Sequence, residues 1–334
     1  LKVALGVIHY RAFRNTDPPV VAAIWNECLT GRGAYALRIV AALERSVFGK
    51  PYFDPKGLIL AFDDVTPLGF IHAGFGPNSD ESDIDCRLGV ISLMAVRPGF
   101  RHRGVGTELL RLCEDYLRGR GAEQILAGPA RPNNPFYFGL YGGSDAPGVL
   151  ASDPLMGRFF LKHGYVEKER FVVVQRRLEQ PISINDSRFP QLRKRFDVTI
   201  QPRTGLGSWW QESVLGPVEP VELRVEDRAT RQNVGHAFVW EMEGYSYRWN
   251  SPAAGIMEIN VREELRRGGV GRFFLAHLLR YLQEQYFGIC ECQFAADNEA
   301  ARKLLTTMAF HSVDEGVVYI KQDGAVSRPI APQH

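Results

Sequence analysis

Cysteine is scarce in this 334-residue chain. Its five positions, Cys28, Cys86, Cys113, Cys290 and Cys292, are odd in number and too scattered for a disulfide framework. No run of about 18 uncharged apolar residues occurs, so no segment reads as a membrane-spanning helix. Residues 1–14 lack the basic end, apolar stretch and small-residue site that a secretion signal shows in that order. These absences set the expectation of a cytoplasmic protein without membrane attachment. An excess of charge is missing too, since 40 basic and 38 acidic side chains leave a net +2. A sequence-independent nucleic-acid binder needs a clearly basic domain, so no nucleic-acid partner is expected. Cys290 and Cys292 have no second Cys or His pair at ligand spacing, and no metal is expected. What is present is a 45% hydrophobic composition and a length that, at about 100–200 residues per domain, implies two domains.

The chain contains a concealed repeat. Val96, Arg101, Gly104, Val105, Gly106, Leu110, Tyr116 and Leu117 recur as Val261, Arg266, Gly269, Val270, Gly271, Leu275, Tyr281 and Leu282, each pair 165 positions apart. Each copy then reads helix, strand, helix, strand. The first copy carries about 20 extra residues, the Pro- and Gly-rich insert 129–152. Two copies of such length exclude a solenoid and leave two related domains. The boundary falls in a polar, Pro-containing stretch, giving a domain over 1–180, a linker over 181–193 and a second domain over 194–334. In the first half the patterns predict a strand at 7–13, helices at 20–29 and 34–48, and a hairpin of strands at 57–62 and 68–74. They continue with strands at 89–96, 124–127 and 165–176 and helices at 104–118 and 154–163. The second half repeats this with its opening helices shortened to one turn or lost.

Chemistry concentrates at the repeated turn. A strand ending at Val96 passes through Arg101, His102, Arg103, Gly104, Val105 and Gly106 directly into an amphipathic helix. Glycines let the backbone approach a ligand, and the first amides of a helix have no intrahelical acceptors. With the helix dipole they form an anion site suited to a phosphate or diphosphate. A Walker loop needs Lys-Ser/Thr after the last glycine, but Thr107-Glu108 and Arg272-Phe273 stand there. A dinucleotide fingerprint needs a small residue where Leu109 and Phe274 stand.

The arrangement resembles the GNAT superfamily of N-acetyltransferases, whose hallmark is Gln/Arg-x-x-Gly-x-Gly/Ala between the fourth strand and the next helix. The resemblance extends over nearly the whole chain as a tandem pair and is most specific over 90–117 and 256–282. It implies an α/β (α+β) fold of two tandem domains, each a mixed, mostly antiparallel sheet flanked by helices. It also implies acetyl-CoA as acyl donor. Arg101 and the amides from His102 to Thr107 would hold the CoA diphosphate, and Arg266, Arg267, Gly268, Gly269, Val270, Gly271 and Arg272 would do so in the second half. Backbone groups at Met94, Ala95 and Val96, and at Ile259 and Val261, would pair with the pantetheine arm. The family's later signature, Asn-x-x-Ala-x-x-Leu-Tyr-x-x-x-Gly-Phe, is matched from Asn298 to Phe310 and, less closely, from Asp153 to Tyr165.

Two departures affect catalysis. Phe160 and Leu305 replace the tyrosine that protonates the departing thiolate in relatives. Glu258 stands where several relatives place a base, but Leu93 occupies that position in the first half. The aromatic insert offers Tyr137 and Tyr141 as substitute acids beside the acetyl position. The expectation is therefore an acyltransferase that moves an acetyl group to a primary amine by direct attack on the thioester, with the acceptor site in the first half. Activity in the second half, or an acyl-CoA-binding scaffold without catalysis, are the competing readings. The partners expected are acetyl-CoA and an amine, in a monomer or homodimer.

Overall fold

The computed structural model describes residues 7–182, 186–202, 207–216 and 218–322. Residues 183–185 of the expected linker, 203–206, 217 and the two ends of the chain lie outside the described residues. The first half runs β1 (Ile8–Ala12), α1 (Pro18–Cys28) and a short α2 (Ala41–Leu43) that passes into a π-helical turn over Glu44–Phe48. It continues with β2 (Leu58–Asp63), β3 (Thr66–Pro77), β4 (Ile84–Val96), α3 (Val105–Gly119), β5 (Gln124–Ala127), β6 (Val149–Leu150), α4 (Pro154–Lys162) and β7 (Tyr165–Arg177). The second half runs α5 (Phe189–Arg195), β8 (Phe196–Pro202), α6 (Trp209–Leu215), β9 (Val221–Asp227), β10 (Asn233–Glu241) and α7 (Glu243–Trp249). It closes with β11 (Ala253–Val261), α8 (Val270–Glu284), β12 (Ile289–Ala295), α9 (Glu299–Thr307) and β13 (His311–Lys321).

Local chemistry accounts for the helices nearest the repeated turns. In α3, Val105, Leu109, Cys113 and Leu117 fall on one buried face, while Arg111 pairs with Glu108 and Asp115 on the exposed one. Asp153 and Asn298 cap α4 and α9 by accepting from Leu155 N at 3.3 Å and Ala301 N at 3.0 Å. The helix expected over 34–48 is shorter, because tertiary hydrogen bonds take its first residues. Tyr35 O accepts from Trp25 Nε1 at 2.7 Å, and the Asn26 side chain bonds both main-chain groups of Leu37. In the second half the opening helices are reduced to the seven-residue α6, and α7 is an addition that periodicity did not reveal.

Thirteen strands form one sheet, ordered β1-β2-β3-β4-β5-β13-β7-β12-β11-β10-β9-β8, with β6 paired to β13. Among the described residues, only β4 with β5 and β11 with β12 run parallel. The closing strands are exchanged: β13 of the second half lies against β5, and β7 of the first half lies against β12. The two sequence repeats are thus joined through a shared central pair, β7 and β13. Separate cores lie beneath α3 and α4, beneath α1, and beneath α5 and α8.

Candidate active site

The two glycine turns are built alike. Each follows a one-turn 3-10 helix, Pro98–Phe100 or Glu263–Leu265. Each then passes through a left-handed residue, His102 at φ 59° or Arg267 at φ 62°, and a left-handed glycine, Gly104 at φ 83° or Gly269 at φ 87°. Such values favour glycine, which explains the repeated Gly at the helix start. Arg101 Nε donates to Val96 O at 2.8 Å, and Arg266 Nε to Val261 O at 3.0 Å, so the leading arginine ties the turn to the strand end in both copies. The first helix-closing bonds run from Glu108 N to Gly104 O and from Phe273 N to Gly269 O, at 3.0 and 2.9 Å. The amides of Val105, Gly106 and Thr107, and of Val270, Gly271 and Arg272, precede that ladder, and neither helix has a side-chain cap.

The sheet opens beside each turn. Pairing of β4 with β5 ends at Ile91↔Ala127, and pairing of β11 with β12 ends at Ile256↔Cys292. Met94, Ala95 and Val96, like Ile259 and Val261, therefore lie past the last parallel pair. In the first half the opening leads to a narrow, largely apolar cavity lined by Leu29, Ser92, Met94, Tyr141, Asp153 and Phe160, among others. Gly106 borders it closely, since a Cβ there would lie 2.7 Å from Met94 Cε. Burial raises the pKa of Asp153 and of Tyr141, whose hydroxyl accepts from Leu150 N at 3.2 Å.

The sequence-derived candidates divide. Met94 of β4 and Tyr141 line the cavity, and the glycine turn approaches it where Gly106 packs against Met94. Tyr137 does not: it is fully buried, stacked on Trp25, and its hydroxyl lies 2.9 Å from His72 Nδ1. Burial pushes the His72 imidazole down to about 3. Tyr137 thus sits in the core rather than at the cavity, its hydroxyl beside a buried histidine. Glu258 is exposed on β11, with Oε1 3.0 Å from His236 Nε2. Asn298 serves as the α9 cap, and α9 borders the second turn through Leu304, 3.7 Å from a Cβ built on Gly271. Ser92 went unnoticed in the sequence, although it is the one polar side chain in the run from Gly89 to Val96.

Access separates the copies. A Cβ at Gly104 would meet nothing within 4 Å, whereas one at Gly269 would lie 3.0 Å from Arg188 Cζ. Arg188 is held by Asp186 through bonds of 2.9 and 2.7 Å, and Asp186 Oδ2 lies 3.7 Å from Arg272 NH1. These Arg188 bonds hold the Asp186 carboxyl down at about 2. The insert also joins the halves: Ser144 N donates to the buried Glu291 at 2.8 Å, Trp240 Nε1 to Ser144 O at 3.0 Å, and Gln293 Nε2 to Gly142 O at 2.8 Å. Phe138 of the insert, Trp210, Trp240 and Tyr245 share one core between them.

The model of the acetyltransferase (GNAT) family matches residues 23–140 and 208–310. A mycothiol acetyltransferase of Rhodococcus erythropolis is 36% identical over 90 residues, 25% of this chain and 27% of that one, so the match spans about a quarter of the relative's length. Among solved structures, a GCN5-related N-acetyltransferase from Sphaerobacter thermophilus aligns over 94% of this chain and 95% of its own, with TM-score 0.63 and 16% identity. A tandem GNAT protein from the clavulanic acid biosynthesis pathway aligns over 96% of this chain and 100% of its own, with TM-score 0.65 and 13% identity. Those likenesses establish the fold as the tandem α/β arrangement expected. With the family pattern matched over both repeats and the same turn built twice at the opening of a mixed sheet, the chain belongs to the acetyltransferase (GNAT) family.

Proposed function

We propose that the chain is an N-acetyltransferase whose first half moves an acetyl group from acetyl-CoA to a primary amine. The observation that carries this reading is the open Gly104 turn beside a cavity, set against a Gly269 turn covered by Arg188. The core of Phe138, Trp210 and Tyr245 between the halves supports it further, since it fills one face of the second half with side chains. The relative's printed name supports acetyl as the group transferred.

The residues of the first half suit an acyl-CoA: a glycine turn that no side chain fills, strand edge beyond the last parallel pair, and a narrow cavity between them. The Val105 to Thr107 amides and the α3 dipole would hold the diphosphate. Main-chain groups of Met94 to Val96 would pair with the pantetheine arm. Acetyl-CoA supplies an electrophilic carbonyl, which an amine attacks without a protein nucleophile. Tyr141 is the insert tyrosine at the cavity, and burial keeps its hydroxyl protonated well above neutral pH, ready to donate toward the departing sulfur. In this reading the domains 1–180 and 194–334, joined by 181–193, are one working and one closed copy. The protein would act in the cytoplasm, as monomer or homodimer, without metal.

The test is amine-dependent release of free thiol from acetyl-CoA by the purified full chain across amino sugars, amino acids, peptides and small amines. Thiol release with at least one amine is expected. CoA binding with no release from any of them would instead favour the scaffold.

A further inference from the structure

β4 carries a bulge at the point where the sheet opens. Across β3, His72 pairs with Leu93 and Ala73 with Ile91, which leaves Ser92 outside the register. The second half repeats the irregularity: Phe238 pairs with Glu258 and Val239 with Ile256, leaving out Met257, which is 165 positions beyond Ser92. Ser92 is also the first residue past the last β4–β5 pair. It is 3% exposed, it lines the cavity with Met94, Tyr141 and Asp153, and its Oγ has no hydrogen-bond partner among the described residues.

A buried hydroxyl without a partner is costly, and the bulge itself does not require one, because Met257 serves the same place in the second half. The first half thus keeps an unused donor at its cavity, where the covered copy has a thioether. The difference follows the difference in access between the two turns.

We propose that Ser92 is a catalytic residue of the first half, its Oγ–H donating to the carbonyl oxygen of the bound thioester. The inference rests on the reading that this half holds acetyl-CoA. As the amine nitrogen bonds to the carbonyl carbon, the carbonyl electron pair moves onto the oxygen that Ser92 faces. When that pair returns, the carbon–sulfur bond breaks and the sulfur leaves with its electrons. Tyr141 gives the sulfur a proton and regains one from the amine, so protons and charge balance. A donor aimed at charge that grows during reaction speeds the step more than it tightens binding.

The test compares full-length wild type, Ser92→Ala and Ser92→Thr. For Ser92→Ala, kcat should fall at least about tenfold with the KM for the amine little changed. The thermal midpoint of the unliganded variant should equal or exceed that of wild type, since an unpaired buried group has gone. In calorimetry the variant should bind CoA as wild type does but lose several-fold in affinity for acetyl-CoA. Ser92→Thr, which keeps the hydroxyl, should recover part of the rate. An alanine variant with wild-type kcat and an unchanged ratio of the two affinities overturns the proposal. So does one whose lost turnover comes with a lower midpoint and equally weakened CoA binding, as a packing role requires. If wild type itself gives no heat with CoA, the reading of the first half fails and this inference falls with it.

Discussion

At Gly104 an added methyl group would stand in open space, while at Gly269 it would meet the Arg188 guanidinium at 3.0 Å. The backbones at these places differ by 4° in φ, 83° against 87°. Duplication thus preserved the part of the site made by main chain, which any sequence keeping the glycines can form. It did not preserve access, which depends on side chains arriving from elsewhere. Asp186 and Arg188 belong to the segment joining the repeats. A motif match therefore reports the backbone geometry of the turn, and its surroundings decide how much room lies beside it.

The sharpest way to break this contrast is to close each turn in its own variant. Gly106→Val pushes into Met94 and Phe159, and acetyl transfer should fall by about 10²-fold or more. Gly271→Val, facing Leu304 at 3.7 Å, should leave turnover near wild type. Initial rates with a responsive amine decide the matter, and the reverse pattern assigns the work to the second half. Opening the covered turn is the complementary test. Arg188→Ala should raise the calorimetric stoichiometry for CoA from one per chain toward two. A fall in CoA binding would instead make Arg188 a phosphate ligand.

Within the insert, Tyr141→Phe should lower kcat by about tenfold or more with little change in stability. Tyr137→Phe should leave kcat alone and cost about 1 kcal/mol in urea unfolding, because it strips His72 Nδ1 of its partner. A further effect concerns pH. His72 is held near 3 when folded, against about 6.5 in an unfolded chain, so between these values the unfolded state binds the extra proton. Stability should therefore decline on acidification below about 6.5, by up to about 1.4 kcal/mol per pH unit from this group. His72→Phe copies Phe238, which holds the same cross-strand place in the second half, and should remove that part of the slope measured by urea titration.

Much of the fold was legible because its signals are local. Helix α3 and strands β5 and β7 fall within a residue or two of their predicted ends, since apolar spacing, caps and glycine breaks act over a few residues. Residues 34–40 were misread as helix because Asn26 and Leu140, distant in sequence, take their backbone bonds. Tyr137 and Tyr141 were indistinguishable as two tyrosines of one aromatic loop. Packing separated them, sending one hydroxyl to His72 and the other to the cavity edge.

By itself the sequence determined the duplication, the two glycine turns and the family, because a left-handed glycine at a helix start is a backbone requirement written in a few adjacent residues. The tertiary structure alone decided the exchange of closing strands, the cover over Gly269, the burial of Tyr137 and the solitary hydroxyl of Ser92. Each depends on which distant groups come into contact, and the free energy of such contacts is set by burial and pairing in space, with no local trace along the chain.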